Sequence, residues 1–169
     1  WAWVAYLAVA SGLGVLISLQ LLASFLHAAL IVARLDTVGH SVIWPLLSLL
    51  TFRWTFFLQL RKALDVRRGQ QVLEVGTGTL LSELLASKVQ AREAHYAGID
   101  LAPLAVRINQ WIAARRGSLS HYEVGDVKQI PFGDGQFDVV VAVNPVYLTE
   151  QPVAEFQQAA AELGRVLAS

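Results

Sequence analysis

Two carboxylates and a pair of glycines define the chemistry open to this chain. Val72-Leu73-Glu74-Val75 is an apolar run interrupted by one acid, and Gly76-Thr77-Gly78-Thr79-Leu80 follows it as a glycine turn. Leu81, Leu84, Leu85 and Val89 then recur at helical spacing. A strand, a glycine turn and a helix in succession let the backbone approach a ligand closely, which is half of a nucleotide-type cofactor site. The other half follows at a suitable distance. Tyr96-Ala97-Gly98-Ile99-Asp100 is a short strand tipped by a carboxylate that can take two ribose hydroxyls, about twenty residues beyond the glycines as that arrangement requires. Each acid also has a plainer reading. Glu74 could be an exposed strand-end acid, Asp100 an N-cap before Leu101-Ala102-Pro103, and Asp126 a turn former after Gly125.

The elements that must hold these residues alternate from residue 70 onward. Strand-like runs at 71–75, 96–100, 122–126 and 137–143 are separated by helical patterns, which predicts an α/β fold with a Rossmann-like, doubly wound parallel sheet of about four strands. Pro103 starts a helix whose Leu104, Ile108, Trp111 and Ile112 form one expected buried stripe, ended by Arg115-Arg116-Gly117. The run from Phe137 to Val143 is almost wholly apolar, as a central parallel strand should be. Pro152 opens a last helix, with Val153, Phe156, Ala160, Leu163 and Leu167 expected to face the core.

Charge is placed unevenly along the 169 residues. The 13 basic and 13 acidic side chains cancel, which removes any overall electrostatic reason to bind nucleic acid and favours a small acceptor. Residues 1–60 hold only Arg34, Asp36 and Arg53, against 11 basic and 12 acidic residues in 61–169. Trp1 to Ala33 has no Asp, Glu, Lys or Arg, and as a helix it would span roughly 50 Å against about 30 Å of bilayer hydrocarbon. Residues 1–36 are therefore expected to form a transmembrane-type helix, with Trp1, Trp3 and Tyr6 at one interface and Arg34 at the other. The alternative is a buried hairpin broken near Ser11-Gly12-Leu13-Gly14. Residues 37–60, with Pro45, Phe52, Trp54, Phe56 and Phe57, suit an interfacial or covering helix. The basic flank of Arg61, Lys62, Arg67 and Arg68 places the following domain, residues 61–169, on the cytoplasmic side. Cysteine is absent, and His27, His40, His95 and His121 lack metal-ligand spacing, so no metal site is expected.

Several pieces in order resemble the class I S-adenosylmethionine-dependent methyltransferases over roughly residues 56–169. Glu74-Val75-Gly76-Thr77-Gly78 is similar to the family's first motif, in which Leu80 stands where a third glycine is usual. Leu64 to Gly69 looks like the lead-in to the first strand, and Gly125-Asp126 like the motif closing the third. Ile130-Pro131-Phe132 through Phe137-Asp138 resembles the run into strand four, and Gly164-Arg165-Val166-Leu167 the close of the following helix. The resemblance implies S-adenosyl-L-methionine as cofactor, touching Glu74, Gly76, Thr77, Gly78, Asp100, Leu101, Asp126, Val127 and Asn144. Asp126 would accept from the adenine amino group, and Val127 would supply a backbone donor.

Asn144-Pro145-Val146-Tyr147 is similar to the Asn-Pro-Pro-Tyr motif of N-methyltransferases, with Val146 in place of the second proline. The resemblance implies that Asn144 and Tyr147 position the acceptor. As plain structure, Pro145 would end the strand and Tyr147 would pack on the last helix. The family adds a fifth strand and an antiparallel edge, so residues 61–169 are expected to be a C-terminally incomplete domain.

The expected function is methyl transfer to a small, lipophilic or membrane-associated acceptor. A non-catalytic membrane-anchored binding or assembly module is the alternative, and Leu80 speaks for it. A nicotinamide oxidoreductase fits poorly, because the third glycine of its Gly-x-Gly-x-x-Gly would fall on Leu81. Oligomeric state has no signature in the sequence.

Overall fold

The computed structural model describes residues 53–79, 81–142 and 153–168. The chain divides into two compact units, residues 1–56 and 57–169. The expected transmembrane-type segment 1–36 and most of the 37–60 helix lie outside the described residues, as do Leu80, Asn144 and Tyr147. Among the described residues no helix is long and apolar enough to cross a membrane.

Eight elements are described. They are α1 (Arg53–Ala63), β1 (Gln71–Val75), α2 (Ser82–Gln90), β2 (His95–Asp100), α3 (Pro103–Arg116), β3 (His121–Val124), β4 (Val139–Ala142) and α4 (Val153–Val166). The strands form one sheet in the order β3-β2-β1-β4. Every pairing is parallel, with Val72 opposite Tyr96 and Val139, and Gly98 opposite Tyr122. The chain thus steps outward from β1 to β3 and then returns to the other side of β1. That reversal is the topological switch at which open α/β sheets form a ligand crevice, and the glycine turn leaves β1 there.

The central strand is β1, whose Val72 to Val75 are all buried. Period-two alternation sends its side chains to two cores. On one face Val72 packs with Leu85, Ala86 and Val89 of α2 and Val106 and Ala113 of α3, with Leu60 of α1 against them. On the other, Leu73 and Val75 pack with Ile99, Val127, Phe137 and, from α4, Ala159 and Val166.

Two sequence expectations change. The buried residues of α3 are Ala105, Val106, Asn109 and Ala113, and Trp111 is 58% exposed. Small side chains let α3 lie close to β2 and β3, so the bulky stripe is displaced outward. In α4 the buried residues are Ala159 and Val166, with Leu163 beside them, whereas Val153 and Phe156 are exposed and Ala160 also faces outward. Among the described strands β4 lies beside β1 at the end of the order, and its outer side begins a further pairing. Phe137 N–H donates to the Val166 carbonyl (2.9 Å), Ala168 N–H donates to the Phe137 carbonyl (2.8 Å), and Phe137 and Leu167 form a parallel bridge.

Candidate functional site

The glycine turn is built from the β1 tip outward. Gly76 and Gly78 have φ of +78° and +55°, a left-handed backbone that side chains with Cβ rarely adopt. Gly76 and Thr77 both donate their N–H to the Ile99 carbonyl at the end of β2, at 2.9 and 3.2 Å. Gly78 N–H then donates to Asp100 Oδ2 at 2.7 Å. The Asp100 Oδ1 atom accepts from Ala102 N–H at 2.8 Å, just ahead of α3. Asp100 is not the N-cap of α3, which is Ala102; its carboxylate instead ties the glycine turn to the residue that opens the helix. Each carboxylate oxygen has a second lone pair, so Asp100 keeps acceptor capacity for a ribose diol while its orientation is fixed.

Beneath the turn lies a buried polar layer. Glu74 is fully buried, and the Tyr96 hydroxyl donates to its Oε2 while Oε1 has no partner. Burial pushes the Glu74 carboxyl up to about 8, against the Tyr96 hydrogen bond and aided by repulsion from Asp100. The fold thereby favours the protonated acid. The Tyr122 ring meets Tyr96 edge to face at 5.7 Å, and its hydroxyl donates to Glu83 Oε1 at 2.6 Å. Burial, then the hydrogen bond to Glu83, raises Tyr122 well above the usual phenol range, so both hydroxyls stay protonated donors.

From the side, Asn109 on α3 holds the turn. Its Nδ2 donates to the Gly78 carbonyl at 2.7 Å and to Thr77 Oγ1 at 3.3 Å, and the residue is wholly buried. Gly98 completes the fit. A Cβ there would lie 2.6 Å from Thr77 Cγ2 and 3.0 Å from the Tyr122 ring. Only glycine lets β2 pass so near the turn.

Of the sequence-derived site residues, Gly76, Thr77, Gly78 and Asp100 are brought together directly, with Glu74 underneath. Leu101, 55% exposed, follows Asp100 on the same strand end. Asp126 and Val127 follow β3 at that edge. Asp126 Oδ1 accepts from Lys128 N–H at 2.8 Å, and the Val127 side chain is buried in the second core. Asn144 and Tyr147 lie outside the described residues. Asp138 faces the first strand, accepting from Gln71 N–H at 2.7 Å, far from the glycine turn along β1.

Sequence reading missed Tyr96, Tyr122, Glu83, Asn109 and Gly98. A signal exists for Glu83, an acid set among Leu81, Leu84 and Leu85. Asn109 lies on the side of α3 that helical spacing of the large apolar residues does not mark.

The fit to a nucleoside cofactor rests on the polar groups present: a partly buried, oriented carboxylate at the β2 tip beside a turn of left-handed glycines. Among the described residues, a Cβ at Gly78 would meet nothing within 4 Å.

Comparison with known proteins agrees with this geometry. Residues 72–169 match a family described as a methyltransferase domain. The ajmaline N-methyltransferase of Rauvolfia serpentina is 31% identical over 83 residues, covering 46% of this chain and 27% of that protein. The demethylmenaquinone methyltransferase of Thermus thermophilus is 32% identical over 111 residues, covering 64% of this chain and 48% of that protein. The chain thus spans half or less of the curated relatives it matches. In fold, it is similar to an S-adenosylmethionine-dependent methyltransferase of Aquifex aeolicus, with a TM-score of 0.56 at 20% identity, covering 66% of this chain and 58% of that one.

Proposed function

The chain belongs to the methyltransferase domain family, and from that premise we propose that it is an S-adenosylmethionine-dependent enzyme methylating a small, lipophilic or membrane-associated acceptor. Bound S-adenosylmethionine supplies an activated methyl group on a sulfonium. The protein's own contribution is to hold two reactants in line, which is chiefly a matter of position. Asp100 receives the ribose hydroxyls on its remaining lone pairs, and the Gly76–Gly78 backbone lines the amino-acid portion. Leu101 offers an exposed apolar surface to the adenine, while Asp126 and the Val127 backbone read its edge. Asn144 and Tyr147 orient the acceptor at the strand-four tip.

The observation that carries this reading is the lock between Gly78 N–H and Asp100 Oδ2 at the sheet's switch point. It fixes turn and carboxylate in one geometry before any ligand arrives, which lowers the ordering cost of binding.

A small acceptor is supported by the relatives named for ajmaline and demethylmenaquinone. A lipophilic one is supported by the 33 residues at the start of the sequence without a charged side chain. On this reading residues 1–36 anchor the chain in a membrane, with residues 61–169 on its cytoplasmic side.

Calorimetric titration of S-adenosylmethionine into the chain in detergent tests the proposal. Saturable binding is expected, weakened at least about tenfold in Asp100→Ala, because one charged acceptor pair is worth roughly 1.5–3 kcal/mol. A circular-dichroism check that the variant is folded separates loss of the site from loss of the protein. Absence of binding by the unaltered chain overturns the cofactor assignment. If binding holds, failure of a labelled methyl group to reach any component of a membrane lipid extract overturns the lipophilic acceptor.

A further inference from the structure

Away from this site, charge is sorted by sheet face. On the layer formed by α1, α2 and α3, the described side chains include Arg61, Lys62, Lys88, Arg107, Arg115 and Arg116. The one carboxylate on these helices, Glu83, is buried. On the opposite face α4 carries Glu155, Glu162 and Arg165. A chain of zero formal charge therefore presents a strongly cationic face.

That face has two further features. On α3, Arg107, Trp111 and Arg115 recur every four residues and share one outer side. Trp111 is 58% exposed, and the Arg115 guanidinium lies 4.8 Å from its ring centroid. Between α1 and α2 runs a groove of about 360 Å³ whose walls are Leu58, Arg61, Lys62, Lys88, Ala91 and Arg92. The Lys88 ammonium donates to the carbonyls of Arg61, Lys62 and Leu64, and Arg61 Nε donates to the Leu84 carbonyl at 3.0 Å. Both side chains are thereby held in place along the groove.

We propose that this helical face docks onto an anionic phospholipid surface, with Trp111 entering the headgroup region and the surrounding Arg and Lys side chains facing lipid phosphates. An exposed tryptophan between arginines suits the membrane interface, where an amphipathic ring and basic side chains are both favoured. The groove sets aliphatic Leu58 and Ala91 among cations, as a lipid headgroup and its glycerol would require. The sequence also points to lipid before nucleic acid, since α1, one wall of the groove, follows directly on the chain's largely uncharged first 52 residues.

The inference is independent of methyl transfer and can be tested without it. The chain contains no cysteine, so Ala114→Cys on the outer side of α3 and Ala154→Cys on α4 give single attachment sites for an environment-sensitive fluorophore. Each full-length labelled chain is reconstituted in nanodiscs of phosphatidylcholine, alone or with about one-quarter phosphatidylglycerol, to vary surface potential alone. The Ala114 label is expected to shift to the blue in anionic discs only, and the Ala154 label to stay unchanged. Roughly 0.5 M salt should abolish the shift, because it shortens the Debye length to a few ångströms. Arg107→Glu/Arg115→Glu should raise the anionic-lipid fraction needed for half the response severalfold, and Trp111→Ala should reduce the shift at saturation. Identical spectra in both disc types overturn the proposal, as does a response at Ala154 instead of Ala114. A shift produced by heparin but not by anionic discs would overturn it in favour of a soluble polyanion. An apolar anchor alone would leave the Ala114 label insensitive to lipid charge, so the two membrane readings fail separately.

Discussion

The two faces of the sheet are packed from different materials. Under the α1–α3 layer, the end of β1 nearest the glycine turn rests on Glu74, Tyr96, Tyr122 and Glu83, with Asn109 alongside, and all of these are buried. Under α4 the core is entirely apolar, made of Leu73, Val75, Ile99, Val127, Ile130, Phe137, Ala159 and Val166. Polarity on that second face is confined to the rim. There Arg165 bonds Glu162, Asp134 and the carbonyls of Phe132 and Ile130, all at 2.8–2.9 Å. An apolar core is the cheaper way to hold a sheet, because buried polar groups forfeit hydration. Placing the costly polar layer directly beneath the turn, and nowhere else in the described sheet, indicates that it serves the geometry of the turn more than overall stability.

The sharpest way to break the contrast is to titrate it. The Glu74 carboxyl, raised to about 8 from 4.5, keeps its proton in the fold while the unfolded chain releases it. The folded state then binds more protons between pH 4.5 and 8, so stability falls as pH rises through that window and levels off above it. Glu74→Gln removes that slope. Urea melts of the two chains should converge near the acid end, and the variant's advantage should grow by up to about 1.4 kcal/mol per pH unit toward the alkaline end. Parallel pH profiles would show that Glu74 is not held neutral.

Next in size is Gly98→Ala. The added methyl overlaps Thr77 and the Tyr122 ring, and overpacking of this kind costs about 1–3 kcal/mol. Denaturant unfolding should show that loss, and cofactor affinity should fall beyond what stability explains, since Thr77 belongs to the turn. Asn109→Ala should cost about 1–2 kcal/mol, the usual toll of deleting a side-chain hydrogen bond to a part-buried carbonyl such as that of Gly78. Its distinguishing readout is a weaker dissociation constant for S-adenosylmethionine in chains still fully folded at the assay temperature.

The smallest effect belongs to the other face. Arg165→Met should lower the melting temperature slightly, by the equivalent of about 1 kcal/mol or less, because its ion pairs are partly exposed and salt-screened. Cofactor affinity should stay within about twofold, with no larger change expected of a rim contact. A large affinity loss in Arg165→Met, matched by none in Asn109→Ala, would reverse the distinction between the faces.

Much of this was legible in the residue order. The strand–glycine–helix run at 72–89 and the carboxylate at Asp100 are local patterns with a fixed spacing, and local patterns are what sequence records. Helix faces were read less well. In α3 the bulky Leu104, Ile108, Trp111 and Ile112 drew the eye, yet Ala105, Val106 and Ala113 are buried, because inter-layer distance, absent from the sequence, decides whether small or large side chains fit. The same cause displaced the expected core face of α4, where Ala159 and Val166 are buried and Phe156 is exposed.

The sequence by itself determined the family, the parallel alternation of strands and helices, and the identity of the turn and its carboxylate, since each depends on residues close together in the chain. Only the tertiary structure decided what lies beneath the turn. Glu74 meets Tyr96 and Gly78 meets Asp100 across 22 residues, Gly78 meets Asn109 across 31, and Tyr122 meets Glu83 across 39. Such contacts exist only once parallel register has set the strands side by side, and it is burial in that register that raises the Glu74 carboxyl above an ordinary glutamate.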